Sequence, residues 1–495
     1  MIRSRGTFPV RLLGGLGSFR MTNLIALVIS LLACWVSPRS DAAEKPNVVL
    51  ILVDDLGWTG LGCYGSDLHE TPNIDRFARD AVRFTNAYAA ASVCTPTRAS
   101  IMTGKSPARL HITVWHESSG EPPKWMRRKL VPPVTEGNLQ LTETTLAEML
   151  DAEGYLTAHV GKWHLGDAAH YPENHGFDVH LGGSFWGCPP TFFYPYRGLF
   201  GGARELRYVP GLSFGEEGEY LTDRLTDEAL AIIDRAGDQP FFLNMCYYTV
   251  HTPIEGKPEL VEYYQKKIKE GMDHDNAHYA AMHHSLDENV GRILAKLDEQ
   301  GIADNTLVIF TSDNGGFVNN YKGQQVTRNT PLRSGKGSLY EGGIRVPLII
   351  HWPGITQHGR VCDEPVITTD FYPTIREIVG AAGDDEHNDQ IEGVSLVPLL
   401  KGPDTSLDRD ALYFHYPHYY PTTSPVSAVR AGDWKLLEYF EDGHVELYNL
   451  ADDIAEANDL SKEEPQKAAE LRQRLVKWRE AVDAQLPTVN PERQQ

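Results

Sequence analysis

The sequence predicts an α/β fold: a large mixed, mainly parallel sheet flanked by helices, followed by a smaller C-terminal α+β domain. Three observations predict it. Short, continuous apolar runs alternate with amphipathic helical stretches. Each run ends in polar or charged residues. Beyond about residue 400, short strand-like stretches follow one another and one helix closes the chain.

Residues 48–53 form the first apolar run and end at Asp54 and Asp55. Thr71-Pro72 opens a helix read as far as Phe84. A second helix spans residues 144–153 and stops at Gly154. Residues 155–160 lead to Lys162 and His164, and residues 241–248 lead to His251. A third helix covers residues 276–299 and stops at Gly301, and residues 307–310 lead to Asp313 and Asn314. Continuous runs of this length fit strands buried on both faces. Open α/β sheets bind ligands at the carboxyl ends of their strands. Four such ends carry Asp, Asn, Lys or His, which points to one shared site.

Residues 380–409 are rich in Asp, Gly and Pro and mark a boundary between domains at residues 44–400 and 401–495. The acidic stretch at residues 384–389 reads as solvated loop. In the smaller domain, residues 411–416, 427–439 and 445–450 read as an antiparallel sheet, residues 464–482 as a helix, and residues 487–495 as a frayed tail.

The chain has 495 residues, 41% hydrophobic and 23% charged, as expected of a globular protein. A net charge of -21 argues against a nucleic-acid partner, which would call for a basic surface. A polyanionic substrate would need local Lys, Arg and His to offset that field. Residues 1–43 read as an export signal, with cleavage after Ala42 to a periplasmic or secreted chain. Met21 is an alternative start. A lipoprotein anchor at Cys34 is the minor alternative, with Leu32 bulky for that motif. No later segment reads as a membrane span. After the signal, Cys63, Cys94, Cys188, Cys246 and Cys362 remain, an odd number without a C-x-x-C pair.

The sharpest motif is Cys94-Thr95-Pro96-Thr97-Arg98. Pro96 suits the start of a helix running to about Thr103. Cys94 then sits at a helix N-terminus, where free N–H groups favour an anion, and Arg98 lies one turn on. Taken alone, the motif fits a buried Cys before an ordinary helix equally well.

The wider pattern resembles the sulfatase family. C-x-P-x-R is followed by a tail ending in Thr103-Gly104. Asp54-Asp55, Gly161-Lys162-Trp163-His164, His251-Thr252-Pro253, Ser312-Asp313-Asn314-Gly315-Gly316 and Gly335-Lys336-Gly337 appear in the family's order. The resemblance covers nearly all of the mature chain. It implies an alkaline-phosphatase-like fold and conversion of Cys94 to 3-oxoalanine (formylglycine) by a separate maturation system. The hydrated aldehyde attacks sulfur through one hydroxyl, and the second then expels sulfate. It further implies that Asp54, Asp55, Cys94, Asp313 and Asn314 ligate a metal. The oxygen donors favour Ca2+, with Mg2+ as the second choice. Arg98, Lys162 and Lys336 would contact the sulfate. His251 would protonate the leaving oxygen, and His164 would hydrogen-bond the diol. Thr95 stands where Ser, Ala or Pro is frequent, and Lys105 where Arg is. The family's serine-bearing loop has no clear counterpart near Gly182-Gly183-Ser184.

Aromatic and His residues cluster at Trp115-His116, Trp186, residues 192–196 and residues 415–419. His415, His418 and Trp186 are candidate contacts to a sulfated carbohydrate. The function expected is hydrolysis of a sulfuric ester. The alternatives are a phosphate or phosphonate ester hydrolase of the same superfamily and a catalytically silent sugar-binding homologue.

Overall fold

Every residue of strand β1 (Asn47–Val53) is buried. Its side chains alternate between two cores: Val49, Ile51 and Val53 on one face, Val48, Leu50 and Leu52 on the other. Both faces are therefore covered, as the unbroken apolar run predicts. The computed structural model describes residues 45–120, 128–201, 204–212, 214–403 and 405–491. The expected export signal and Cys34 lie outside the described residues.

Seven further strands complete the sheet: β2 (Val82–Phe84), β3 (Leu156–Gly161), β4 (Val179–Leu181), β5 (Phe241–Cys246), β6 (Thr306–Ser312), β7 (Leu348–His351) and β8 (Arg360–Cys362). Their order is β8-β2-β7-β6-β1-β5-β3-β4. Only β7 runs antiparallel to its neighbours. Helices Pro72–Asp80, Leu221–Ala236 and Ala277–Glu299 cover one face, and Cys94–Thr103, Leu146–Ala152 and Phe371–Val379 the other.

Local chemistry sets the helix starts. Thr145 and Glu148 form a reciprocal capping box. Asn276 accepts from the Tyr279 N–H. The first helix is shorter than the sequence suggests. It stops at Asp80, and Val82–Phe84 becomes a strand. Pairing on both sides by β7 and β8 outweighs continuation of the helix there.

Four antiparallel strands form the C-terminal sheet: β9 (Leu412–Tyr416), β10 (Val426–Ala431), β11 (Trp434–Tyr439) and β12 (Val445–Asn449). The single stretch expected at residues 427–439 is two strands, because Gly432 adopts a φ of 57° and reverses the chain. Helix Pro465–Ala481 packs on one face through Leu471 and Leu475. The other face meets Tyr88, Val93 and Ile344 beside the Cys94 helix. Residues 45–495 form one compact unit. Two local expectations are corrected, residues 492–495 of the expected frayed tail lying outside the described residues. Thr488–Val489 pairs with Leu130–Val131 rather than fraying, and Asp384 caps a short helix, Asp385–Asn388. Among the described residues no helix is long and apolar enough to cross a membrane.

Candidate active site

Four neighbouring parallel strands end level with one another. Val53 of β1 pairs with Ser312 of β6, Leu52 with Cys246 of β5, and Cys246 with Gly161 of β3. The residues that follow therefore meet at one edge of the sheet, where α/β sheets bind ligands. Gly161 makes the β3 turn possible. Its φ is +97°, and a Cβ there would lie 1.9 Å from the Cys246 carbonyl oxygen. The Lys162 N–H donates to that same carbonyl, and the side chain turns toward β1.

Three buried carboxylates face three buried cations. Lys162 Nζ lies 2.7 Å from Asp54 Oδ2. Lys336 Nζ lies 2.8 Å from Asp55 Oδ1, and Arg98 NH2 lies 2.8 Å from Asp313 Oδ2. Asn314 donates to Asp55 Oδ1 at 2.8 Å. Burial first, then crowding by Asp313 and Asp55, pushes Asp54 up to about 8 despite Lys162. Burial would raise Asp55 too, but Lys336 and His251 hold it at about 2. Burial likewise opposes Asp313, which Arg98 and Lys162 hold below the usual range.

A hard cation fits this cluster. Among the described residues Asp54 Oδ1 and Asn314 Oδ1 have no hydrogen-bond partner although both are buried, a state that is unfavourable unless something satisfies them. Asp54, Asp55, Cys94 and His251 each bring one ligand-type atom within 4.8 Å of the others. Of the three carboxylates only Asp54 is pushed above the usual range, by burial and its acidic neighbours, while Asp55 and Asp313 are held below it. His251 was expected only as a proton donor, yet its Nε2 lies 3.6 Å from Asp55 Oδ2, inside the cluster.

Cys94 begins its helix after Val93, which supplies no side-chain cap, so the helix N-terminus is open toward residue 94. Burial pushes the thiol up to about 12. Thr95 has a defined task. Its hydroxyl donates to the His164 carbonyl at 2.9 Å and accepts from the His116 N–H. Lys105 lies away from the cluster, on Glu143 and Gln390. Ser184 contributes its carbonyl to the His164 N–H.

A cavity of about 230 Å³ opens above the cluster. Cys94, His164, His251 and Lys336 line it, together with Trp115, Glu117, Cys188, Phe200, Arg207 and Tyr420. Arg98 and Lys162 were expected to touch the sulfate. Both are buried and ion-paired, Arg98 with Asp313 and Lys162 with Asp54, and neither is among the residues that line the cavity; Arg98 also donates to the Lys162 carbonyl at 2.8 Å. Burial lowers His251 to about 3 and His164 to about 4, against the pull of Asp55 and Glu117 respectively. Burial would raise Glu117, but His164 holds it well below the usual carboxylate range.

The three expected sugar contacts do not line the cavity. His415 is buried, with Nδ1 on the Ser427 hydroxyl and Nε2 on the Gln485 carbonyl. His418 is buried against the Thr113 hydroxyl. Trp186 is buried and donates to Glu205. Strand β9 turns His415 toward the chain terminus, and packing takes the rest. Glu117, Cys188, Arg207 and Tyr420 were missed, because no motif marks them. Among the described residues no cysteine is paired.

A mainly parallel sheet carrying acids, lysines and a helix-borne cysteine at its carboxyl edge defines an alkaline-phosphatase-like hydrolase. Residues 46–381 match the sulfatase family model, and residues 335–481 match the C-terminal model described as N-sulphoglucosamine sulphohydrolase. A sulfatase of Formosa agariphila is 32% identical, over 93% of each chain. Human arylsulfatase A is 33% identical, over 86% of this chain and 80% of that one. Among solved structures, one described as Ps i-CgsB in complex with k-i-k-neocarrahexaose superposes with a TM-score of 0.71. It is 29% identical and the match covers 88% of this chain and 93% of that one. The chain belongs to the sulfatase family and is a sulfuric ester hydrolase.

Proposed function

We propose that the chain releases inorganic sulfate from a sulfated carbohydrate outside the cytoplasm, with Cys94 matured to formylglycine and Ca2+ held by Asp54, Asp55, Asp313, Asn314 and residue 94. The observation that carries this reading is the meeting of Cys94, Asp54, Asp55 and His251 within 4.8 Å of one another, under a cavity that Lys336 lines. A hydrated aldehyde at position 94 supplies a nucleophile that an ordinary thiol pushed up to about 12 does not. An all-oxygen donor set beside residue 94 suits Ca2+ better than a soft metal, with Mg2+ second. His251 lines the cavity and would serve as the acid for the departing alcohol oxygen once the charge of a bound anion favours its protonated form. The carbohydrate assignment draws support from the oligosaccharide in the Ps i-CgsB complex and from Trp115 and Tyr420, whose rings meet edge to face at 5.7 Å in the cavity wall.

The test pairs mass spectrometry of the Cys94 peptide from natively expressed, active protein with sulfate release from defined sulfated saccharides. An aldehyde at position 94 and turnover of at least one saccharide are expected. A fully unmodified thiol in active enzyme would overturn the nucleophile. Faster hydrolysis of an aryl phosphate than of the matching aryl sulfate would favour the phosphate-ester alternative.

A further inference from the structure

Glu117 is an acid that no motif announces, inside the cavity wall. It sits in the short turn His116–Ser118. Its Oε2 lies 2.6 Å from His164 Nε2, and its Oε1 accepts from the Gly187 N–H at 2.9 Å. Arg207 NH1 stands 3.4 Å from the same Oε1 and is itself held by Glu205. Both oxygens are thus fixed from different parts of the chain.

His164 is clamped as firmly. Its N–H donates to Ser184, and its carbonyl accepts from Thr95 next to the nucleophile position. Gly187 presses on the ring so closely that a Cβ there would lie 2.4 Å from His164 Cε1. A carboxylate can only accept, so the neutral ring must carry its proton on Nε2. The other nitrogen, Nδ1, is then a lone-pair acceptor. It is buried and has no hydrogen-bond partner among the described residues, although the ring lines the cavity that Cys94 also lines.

We propose that Glu117 is a positioning residue that holds His164 in its Nε2–H form, so that Nδ1 presents a lone pair to a hydroxyl of the matured residue 94. When that hydroxyl gives up its proton, its O–H bond breaks, an N–H bond forms at Nδ1, and the imidazolium charge falls against the Glu117 carboxylate. The arrangement follows the general logic of an acid orienting a histidine base. It rests on the formylglycine reading for its chemistry, but the tautomer itself does not.

The first test therefore uses the unconverted Cys94 protein. Nitrogen-15 NMR of the labelled histidines, with His164 assigned by loss of its signals in His164→Asn, is expected to show Nε2 protonated and Nδ1 bare. In Glu117→Ala that preference is expected to weaken toward the mixed tautomers of an unpaired imidazole. A protonated Nδ1 in the parent protein overturns the proposal without any variant having to fold. The second test uses fully converted enzyme. Glu117→Gln is expected to lower kcat for an aryl sulfate on the order of 100-fold while KM changes less than about three-fold. Glu117→Asp is expected to recover part of the loss. An unchanged kcat in Glu117→Gln, with conversion of residue 94 verified by mass, overturns it. A fully converted parent inactive on every sulfate ester would sink the functional reading instead, leaving the NMR result to decide the tautomer.

Discussion

Lys162 Nζ stands 2.7 Å from Asp54 Oδ2, and neither side chain has any exposed surface. The pair joins the ends of two strands, β3 and β1, that are separated in the sheet by β5. Replacing Lys162 by Met removes the partner of a buried carboxylate. Burial already raises Asp54, and without Lys162 it holds its proton more firmly, which limits the loss to about 1–3 kcal/mol. Turnover of an aryl sulfate is expected to fall on the order of 100-fold, as for the loss of one electrostatic group at a reacting centre. Urea unfolding and steady-state kinetics check both values. An unchanged midpoint with unchanged turnover would show that the pair does not hold the site together.

The unpartnered oxygens of Asp54 and Asn314 make a second prediction. Chelation should abolish sulfate-ester hydrolysis reversibly. Calcium should restore it at lower concentration than magnesium, since a crowded set of protein oxygen donors suits the larger ion, whereas magnesium keeps several waters. At a hundred-fold excess over Kd, calcium should stabilise the fold by about 2.7 kcal/mol, visible as a higher Tm. An identical Tm with and without chelator would remove the metal from the site.

Tyr420 and His415 should part company in the third experiment. Tyr420 lines the cavity, whereas both ring nitrogens of His415 are engaged elsewhere. Tyr420→Ala should raise KM for a sulfated saccharide about ten-fold, equivalent to about 1.4 kcal/mol. It should affect a small aryl sulfate less. His415→Ala should leave KM alone and lower stability by about 1–3 kcal/mol, because the Gln485 carbonyl loses its donor. The reverse pattern would return the saccharide site to β9.

Much of this arrangement was legible in the chain. Unbroken apolar runs announced β1, β5 and β6, and the polar residues just beyond them announced the site. Register, which brings Val53, Ser312, Cys246 and Gly161 level, follows from pairing and cannot be read from runs alone. Residues that act through long-range contact were invisible. Glu117 is one acid in a loop until the fold sets it against His164, 47 positions away. His415 misled for the opposite reason. An aromatic and histidine cluster suits a sugar site and a packed sheet equally well, and only the direction in which β9 faces decides between them. Arg98 and Lys162 stand in the expected neighbourhood, buried against Asp313 and Asp54, a depth that a motif does not specify.

Buried histidines in the C-terminal sheet give the last prediction. Burial lowers His415 to about 4, with Arg479 adding to the effect and the Gln485 carbonyl opposing it. Burial and the neighbouring His415 lower His418 to about 3. In the unfolded chain both would titrate near 6.5. Between about pH 6.5 and pH 4 the unfolded state therefore binds protons that the folded state refuses, and stability falls as pH falls through that window. At about pH 5.5 the loss attributable to His415 alone is roughly 1.4 kcal/mol relative to neutral pH. His415→Gln gives up a hydrogen bond at every pH but no longer titrates. Its unfolding free energy should accordingly drop less between about pH 7.5 and 5.5 than that of the parent, by about that amount. Equal drops in urea titrations of the two proteins would mean that His415 accepts a proton in the folded sheet, and that its two hydrogen bonds do not keep it neutral.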